Sequence, residues 1–361
     1  MSSVWNRRDV IRAGLAAAAP AAARAEDFGL TLDRDVRVGL LGLEGHFGEA
    51  VRVAERHPRV KITAVETATE RERGRGANVA ALAEARRYND YRELLKREEL
   101  DAVCVCDRNS RRAESVIACL ERGIPTAAEK PMALSLADLD RVRRASESTG
   151  TPLTMLLPMR FDPPYVAMRA IVAAGRIGEA VNLSGQKSYQ LGERPEWMKD
   201  RESFGGTIPY IGVHLVDLLR FISGRDMVET AAFHGRVGFP EIREMENTAA
   251  VSYRLDNGGT ADLRLDYLRP KAGDSHGDDR LRIAGTRGVV EYQGGRLTLM
   301  TDDEPLHEVA DFPATRPLFA DFLDGVFNGK PRGLTEGEAF RVTEIVLRSR
   351  EAADSGRVLR I

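Results

Sequence analysis

"VRVGLLGLEGHFGEA", residues 36–50, joins an apolar run to a turn containing Gly42, Gly45 and Gly48 and then to the amphipathic "EAVRVAERH" (49–57). A buried strand that enters a helix through small residues presents backbone N–H groups at the helix N-terminus, where an anionic phosphate is stabilised. The dinucleotide fingerprint G-x-G-x-x-G is not met. With Gly42 as its first glycine, Glu44 stands at the second, and the spacing is G-x-x-G-x-x-G. Taken alone, such a turn serves a plain strand-to-helix connection equally well.

The surroundings add weight. "VKITAVE" (60–66) is a second strand, followed by helical "ANVAALAEARR" (77–87) and "YRELLKREE" (91–99). Strand "DAVCVCD" (101–107), helix "RAESVIACLERG" (112–123), strand "PTAAE" (125–129), helix "LADLDRVRRASES" (136–148) and strand "PLTMLL" (152–157) continue the alternation. Only "TERERGRG" (69–76), with mixed charge, reads as a solvated loop. Strands alternating with helices predict an α/β class with a parallel, doubly wound sheet that binds ligands at its carboxyl edge. Glu66 ends the second strand, where a carboxylate accepts hydrogen bonds from adenosine ribose hydroxyls and repels a 2′-phosphate. This favours NAD, while Arg71 and Arg73 leave NADP open.

Past residue 157 the pattern changes. Helical "PYVAMRAIVAAGRI" (164–177) and "AFRVTEIVLRSREAADSG" (339–356) flank alternating strands separated by "LDNGGTADL" (255–263) and "GTRGVVEY" (285–292). Two domains are expected: a Rossmann NAD(P)-binding domain over 34–157 and an α+β domain over 158–361 with an open, mostly antiparallel sheet.

At another strand end, "AAEKPMAL" (127–134) places Glu129, Lys130 and Pro131 at the same carboxyl edge. The E-K-P tripeptide, with Asn109 in "DRNSRRAE" and "GGTIPYIGVHLVDLLRFISG" (205–224), resembles the glucose-fructose oxidoreductase, inositol dehydrogenase and rhizopine-catabolism (Gfo/Idh/MocA) family. The resemblance runs from about residue 35 to the C-terminus. It implies that Gly42, Gly45, Gly48, Glu66, Asn109, Glu129 and Lys130 bind the cofactor, and that Lys130 and His214 handle the proton of the reacting hydroxyl. The resemblance also gives the domain over 158–361 its substrate and oligomerisation role. Two departures stand out: Asp107-Arg108 replaces the family's usual Thr-Pro, and Tyr210 replaces the aspartate upstream of the histidine.

On a helix, residue 210 would lie one turn before 214, within reach of the imidazole, although a phenol cannot hold an imidazolium as a carboxylate does. Lys130 near a cationic nicotinamide is expected to have a lowered pKa, and His214 an intrinsic pKa suited to a base. Arg160 in "LPMRFDPP" and the pair Arg194 and Trp197 in "GERPEWMKDRESFGG" are candidate substrate contacts, and Asp217 is expected to serve its own helix turn.

The bulk composition excludes other classes. Among 361 residues, 43% are hydrophobic and 30% charged, with a formal net charge of -2, so no basic surface for nucleic acid is indicated. No run after residue 28 reaches the roughly 20 apolar residues needed to span a bilayer. Cys104 and Cys106 share a strand face, and with Cys119 they read as small core residues. His276, Asp278 and Asp279 read as a solvated loop, so no metal is assigned. "NRRDVIRAGLAAAAPAAARA" (6–25), with Arg7-Arg8 and a small-x-small end, resembles a twin-arginine signal peptide over residues 1–25, which implies a periplasmic or otherwise exported protein.

The leading reading is an exported NAD(P)-dependent oxidoreductase of a sugar or cyclitol hydroxyl, a homo-oligomer with a small-molecule substrate and no membrane or nucleic-acid partner. An NAD-dependent glycosidase that oxidises, eliminates and re-reduces, and a non-catalytic sugar or dinucleotide sensor, are the alternatives.

Overall fold

The computed structural model describes residues 28–361, so the expected signal segment 1–25 lies outside the described residues. Six parallel strands form the first sheet: β1 (Val36–Leu41), β2 (Val60–Glu66), β3 (Arg86–Tyr88), β4 (Ala102–Val105), β5 (Thr126–Ala128) and β6 (Leu153–Met155). Their order is β3-β2-β1-β4-β5-β6. The chain therefore reverses its winding between β1 and β4, which opens a crevice at their carboxyl ends. β4 is buried at every residue and β1 at all but Arg37, as expected of strands covered on both faces. The covering helices are α1 (Gly48–Arg56), α2 (Glu70–Gly76), α3 (Tyr91–Arg97), α4 (Asn109–Leu120) and α5 (Leu136–Thr149).

Helix α2 replaces the loop expected at 69–76. Thr69 accepts from the Glu72 backbone N–H while the Glu72 carboxylate accepts from the Thr69 backbone N–H, a reciprocal cap that starts a helix despite two glycines. The helix expected over 77–87 contracts to one 3-10 turn, Ala80–Leu82, and the edge strand β3.

The second domain begins with α6 (Pro163–Ala173) and β7 (Ala180–Tyr189), then α7 (Arg201–Phe204) and α8 (Val213–Ser223). Strands β8 (Met227–Gly235), β9 (Thr248–Leu255), β10 (Thr260–Asp266), β11 (Gly277–Gly285), β12 (Gly288–Gln293), β13 (Arg296–Thr301) and β14 (His307–Glu308) follow. Helices α9 (Leu318–Asn328) and α10 (Glu336–Ser355) and the short β15 (Leu359–Arg360) close the chain. The nine strands order as β14-β13-β12-β11-β7-β10-β9-β8-β15, antiparallel except for β10 with β7. Along β9 and β10 buried and exposed residues alternate, so one face carries the core and the other faces outward. His276 is exposed in the loop expected for it, whereas Asp278 and Asp279 belong to the sheet, because β11 pairs with β7 from Gly277 onward.

Candidate active site

The glycine turn is held by close backbone approach. Gly42 has φ +77° and Gly45 φ +54°, conformations that favour glycine. A Cβ on Gly42 would come within 2.7 Å of the Cys106 carbonyl oxygen, and one on Gly45 within 2.4 Å of a Glu129 carboxylate oxygen. Around Gly48, the first residue of α1, a side chain would meet only open space. No side chain caps this helix, although the Glu49 backbone N–H already donates to the His46 carbonyl at 2.9 Å.

A groove of about 680 Å³ opens at the carboxyl ends of β1, β2 and β4, lined among others by Glu44, Arg71, Arg108, Arg111, Arg194 and Trp197. Glu72, Glu193 and Glu196 also line it, so its charge is mixed, and its position at the switch point together with its arginines fits the phosphates and adenosine of a dinucleotide. Arg194 and Trp197, expected to contact substrate, both line this groove, and Trp197 also packs against Tyr210 at 6.4 Å. The Arg194 guanidinium lies over the Tyr267 ring at 4.6 Å, and its Nε and Trp197 Nε1 are buried without a partner.

Two other expected cofactor contacts are engaged by the protein itself. Glu66 is turned inward, where Oε1 accepts from Arg111 at 2.8 Å and from the Tyr91 backbone N–H at 3.2 Å. Burial raises its pKa, and it does not line the groove. Asn109 donates its amide to the Phe204 carbonyl at 2.8 Å and accepts from Arg112 at 3.0 Å, which makes it a strut between the domains. Arg112, not singled out in the sequence, is fully buried and also donates to the carbonyls of Lys130 (3.1 Å) and Pro131 (2.9 Å). It fixes the E-K-P turn from beneath.

The proton-handling cluster assembles around that turn. Lys130 Nζ donates to the Tyr210 carbonyl at 2.9 Å, lies 3.7 Å from the Tyr210 ring centroid and 3.7 Å from Glu129 Oε1. Burial lowers its pKa, and although Glu129 opposes this, Arg112 and the buried Lys187 add to it, so the ammonium titrates at about 8. Glu129 is fully surrounded. Burial alone would raise its pKa, but the charges of His46, Lys130 and Arg112 hold it down at about 2.

His46, in the glycine turn, is a second residue that sequence reasoning missed. Its backbone N–H donates to Glu129 Oε2 at 3.1 Å, its Nδ1 lies 2.9 Å from the same oxygen, and its ring meets His214 edge-on at 5.3 Å.

His214 is the second residue of α8, and a π-helical turn over Ile208–Gly212 carries the chain into it. Its Nδ1 is buried with no hydrogen-bond partner. Burial pushes its pKa well below the usual imidazole value, and Lys130 and Lys187 push the same way, so the ring is neutral at physiological pH. The expectation of an ordinary histidine pKa is thus overturned. The Tyr210 side chain does not join His214. It covers Lys130 and packs edge-on against Trp197 at 6.4 Å, and burial raises its pKa to about 12.

Arg160 is absent from the cleft surface. It is buried between Asp217 and Glu338, donating to Asp217 through Nε (3.2 Å) and Nη2 and to Glu338 at 2.8 Å. Asp217 accordingly anchors this ion pair and not its own helix turn. Further along the sheet, Lys187 is fully buried with Nζ 2.7 Å from Asp279 Oδ2, while Asp279 Oδ1 has no partner. Nearby Asp162 is raised to about 6 by burial and by the charge of Glu49.

Comparison with known proteins bears on the fold and the family. An oxidoreductase family model with an NAD-binding Rossmann fold matches residues 36–156, and a Gfo/Idh/MocA C-terminal domain model matches 165–291. The chain is 31% identical over 290 residues to inositol 2-dehydrogenase 2 of Saccharopolyspora erythraea, covering 78% of this chain and 81% of that protein. It is 25% identical over 265 residues to scyllo-inositol 2-dehydrogenase (NAD(+)) of Bacillus subtilis, covering 72% and 74%. A solved oxidoreductase from Thermotoga maritima superposes with a TM-score of 0.86 at 30% identity, covering 90% of this chain and 100% of that one. The chain belongs to the Gfo/Idh/MocA family of oxidoreductases, and its first domain is an NAD-binding Rossmann domain.

Proposed function

We propose that this protein is an NAD-dependent dehydrogenase of a secondary hydroxyl on a sugar or cyclitol, with Lys130 as the group that exchanges the hydroxyl proton. The observation that carries the reading is the Lys130 ammonium, buried at the strand end beside the glycine turn and titrating at about 8. The inositol dehydrogenase names of its relatives support the substrate class. A bound nicotinamide supplies the hydride acceptor for the carbinol carbon.

The rest is done by the chain. The neutral amine of Lys130 takes the hydroxyl proton while its own N–H groups stay anchored to the Tyr210 carbonyl. His214, neutral, offers Nδ1 to the same or an adjacent hydroxyl and holds the ring in register. Glu129, ionised and tied to His46, keeps Lys130 from losing its proton at still lower pH. Asp279, held by the buried Lys187 through Oδ2, offers its unpartnered Oδ1 as a further acceptor for a hydroxyl-rich ring.

The same reading includes export by the twin-arginine route, supported by Arg7-Arg8 and the small-residue segment after them. It also includes self-association through the outer face of the nine-stranded sheet, where Phe233 and Met300 are exposed. Incubating purified protein and NAD with a panel of inositols and aldoses, and following nicotinamide absorbance, tests the activity. Turnover of at least one member is expected, and glycoside cleavage without net reduction of NAD would contradict it. Changing Arg7 and Arg8 to lysine should hold the precursor in the cytoplasm, whereas unchanged export would refute that route.

A further inference from the structure

The groove that accepts the cofactor contains its own anion. Glu44, at the position where a dinucleotide turn ordinarily has a glycine, is nearly buried and lines the groove beside Arg71. Its backbone N–H is fixed to the Cys106 carbonyl at 2.7 Å. Its two carboxylate oxygens each take an arginine from α2: Arg71 Nε at 3.0 Å on Oε1, and Arg75 Nη1 at 2.9 Å on Oε2. The Arg75 guanidinium is further held over the Phe47 ring, 5.0 Å from its centroid. A pair of guanidinium groups gathered at the glycine turn is the donor set that a ribose 2′-phosphate requires. Here a side-chain carboxylate already occupies it.

We infer that Glu44 is the residue that sets cofactor choice, acting as a built-in anion that engages Arg71 and Arg75 and so excludes a 2′-phosphate, making the enzyme selective for NAD over NADP. This rests on the proposed nicotinamide-dependent function. It acts beside Glu66, which does not line the groove and whose Oε1 is taken by Arg111 and the Tyr91 backbone N–H while Oε2 has no partner. The other arginines offer little compensation. Arg73 pairs with Glu70 and donates to the Thr67 carbonyl, and Arg111 pairs with Glu66. Arg108, on the groove wall, has no carboxylate partner among the described residues and remains for the pyrophosphate that both dinucleotides carry.

A dianionic phosphate beside Glu44 meets a like charge in a partly desolvated groove and finds its natural donors engaged. The unphosphorylated ribose carries no charge and meets no such penalty. Removing the charge at residue 44 releases both arginines at once, so the gain should appear in NADP affinity and not in NAD affinity.

The test is a calorimetric titration of the full chain, freed of carried-over nucleotide, with NAD and with NADP. The proteins compared are the wild type, Glu44→Gln, Glu44→Ser, and Glu44→Gln combined with Arg71→Ala and Arg75→Ala. Wild type should bind NAD more tightly than NADP. Each single substitution should tighten NADP by on the order of tenfold or more while leaving NAD within about threefold, and the triple variant should lose the gain. Retained NAD affinity certifies that the variants are folded. Unchanged NADP affinity in both single variants, a gain that survives loss of the two arginines, or a wild type that prefers NADP would overturn the assignment. A wild type that binds neither dinucleotide would overturn the nicotinamide-dependent reading itself, a different and distinguishable failure.

Discussion

The Lys130 ammonium sits over the Tyr210 ring, 3.7 Å from its centroid, and donates to the carbonyl of the same residue at 2.9 Å. One residue thus supplies both a fixed acceptor and an aromatic face. A ring face stabilises a cation less than a carboxylate does, so burial wins and Lys130 titrates at about 8. Tyr210→Phe keeps the face and the carbonyl, and is expected to reduce turnover by no more than about fivefold. Tyr210→Asp introduces a charge that favours the ammonium, so the pH at which activity rises should move upward by on the order of one unit or more. Steady-state kinetics of both variants across pH measures this.

Glu129 works in the opposite direction to burial on the same lysine. Its carboxylate raises the Lys130 pKa, so Glu129→Gln should lower it and shift the rise in oxidation rate to more acidic pH, by on the order of one unit. The substitution also removes the charge that holds His46. A pH profile of kcat/KM reads the shift, and movement toward alkaline pH would show that Glu129 acts by some other means.

Arg160 should behave as a structural residue. With Asp217 it forms an ion pair in which both side chains are almost wholly buried, and Arg160→Ala strands the Asp217 carboxylate in the core. Breaking such a pair from one side costs about 3–5 kcal/mol, so urea denaturation should show a loss of that size while KM for the substrate stays near the wild-type value. A stable Arg160→Ala protein with a raised KM would return Arg160 to the cleft.

The contrast between Arg160 and Lys130 shows what the sequence makes legible. Strand and helix alternation, the glycine turn after β1 and the E-K-P turn after β5 are local patterns, and the parallel sheet and both turns at its strand ends follow from them. Side-chain pairings between distant residues are not local. Nothing in "LPMRFDPP" announces that Arg160 meets Asp217 and Glu338, 57 and 178 residues away.

For the same reason nothing around Glu66 announces its partner Arg111, 45 residues on, and Glu44 read only as a missing glycine. The His46 contact with Glu129 spans 83 residues. Helix α2 is a different case. Its signal, Thr69 followed three residues later by Glu72, was present but outweighed by the charge run and glycines around it.

The central claim is that the titrating proton carrier is Lys130 and that His214 acts as a neutral positioning group. The direct measurement is the pH dependence of kcat/KM for alcohol oxidation in the wild type, Lys130→Met and His214→Asn. Oxidation requires the neutral amine, so the wild-type rate should rise with pH through about 8, the value set by burial of Lys130. Lys130→Met should abolish that limb and lower the rate by roughly 10²-fold or more, while His214→Asn should lower the rate yet keep the limb. A limb near the ordinary histidine pKa that disappears in His214→Asn and persists in Lys130→Met would contradict the account.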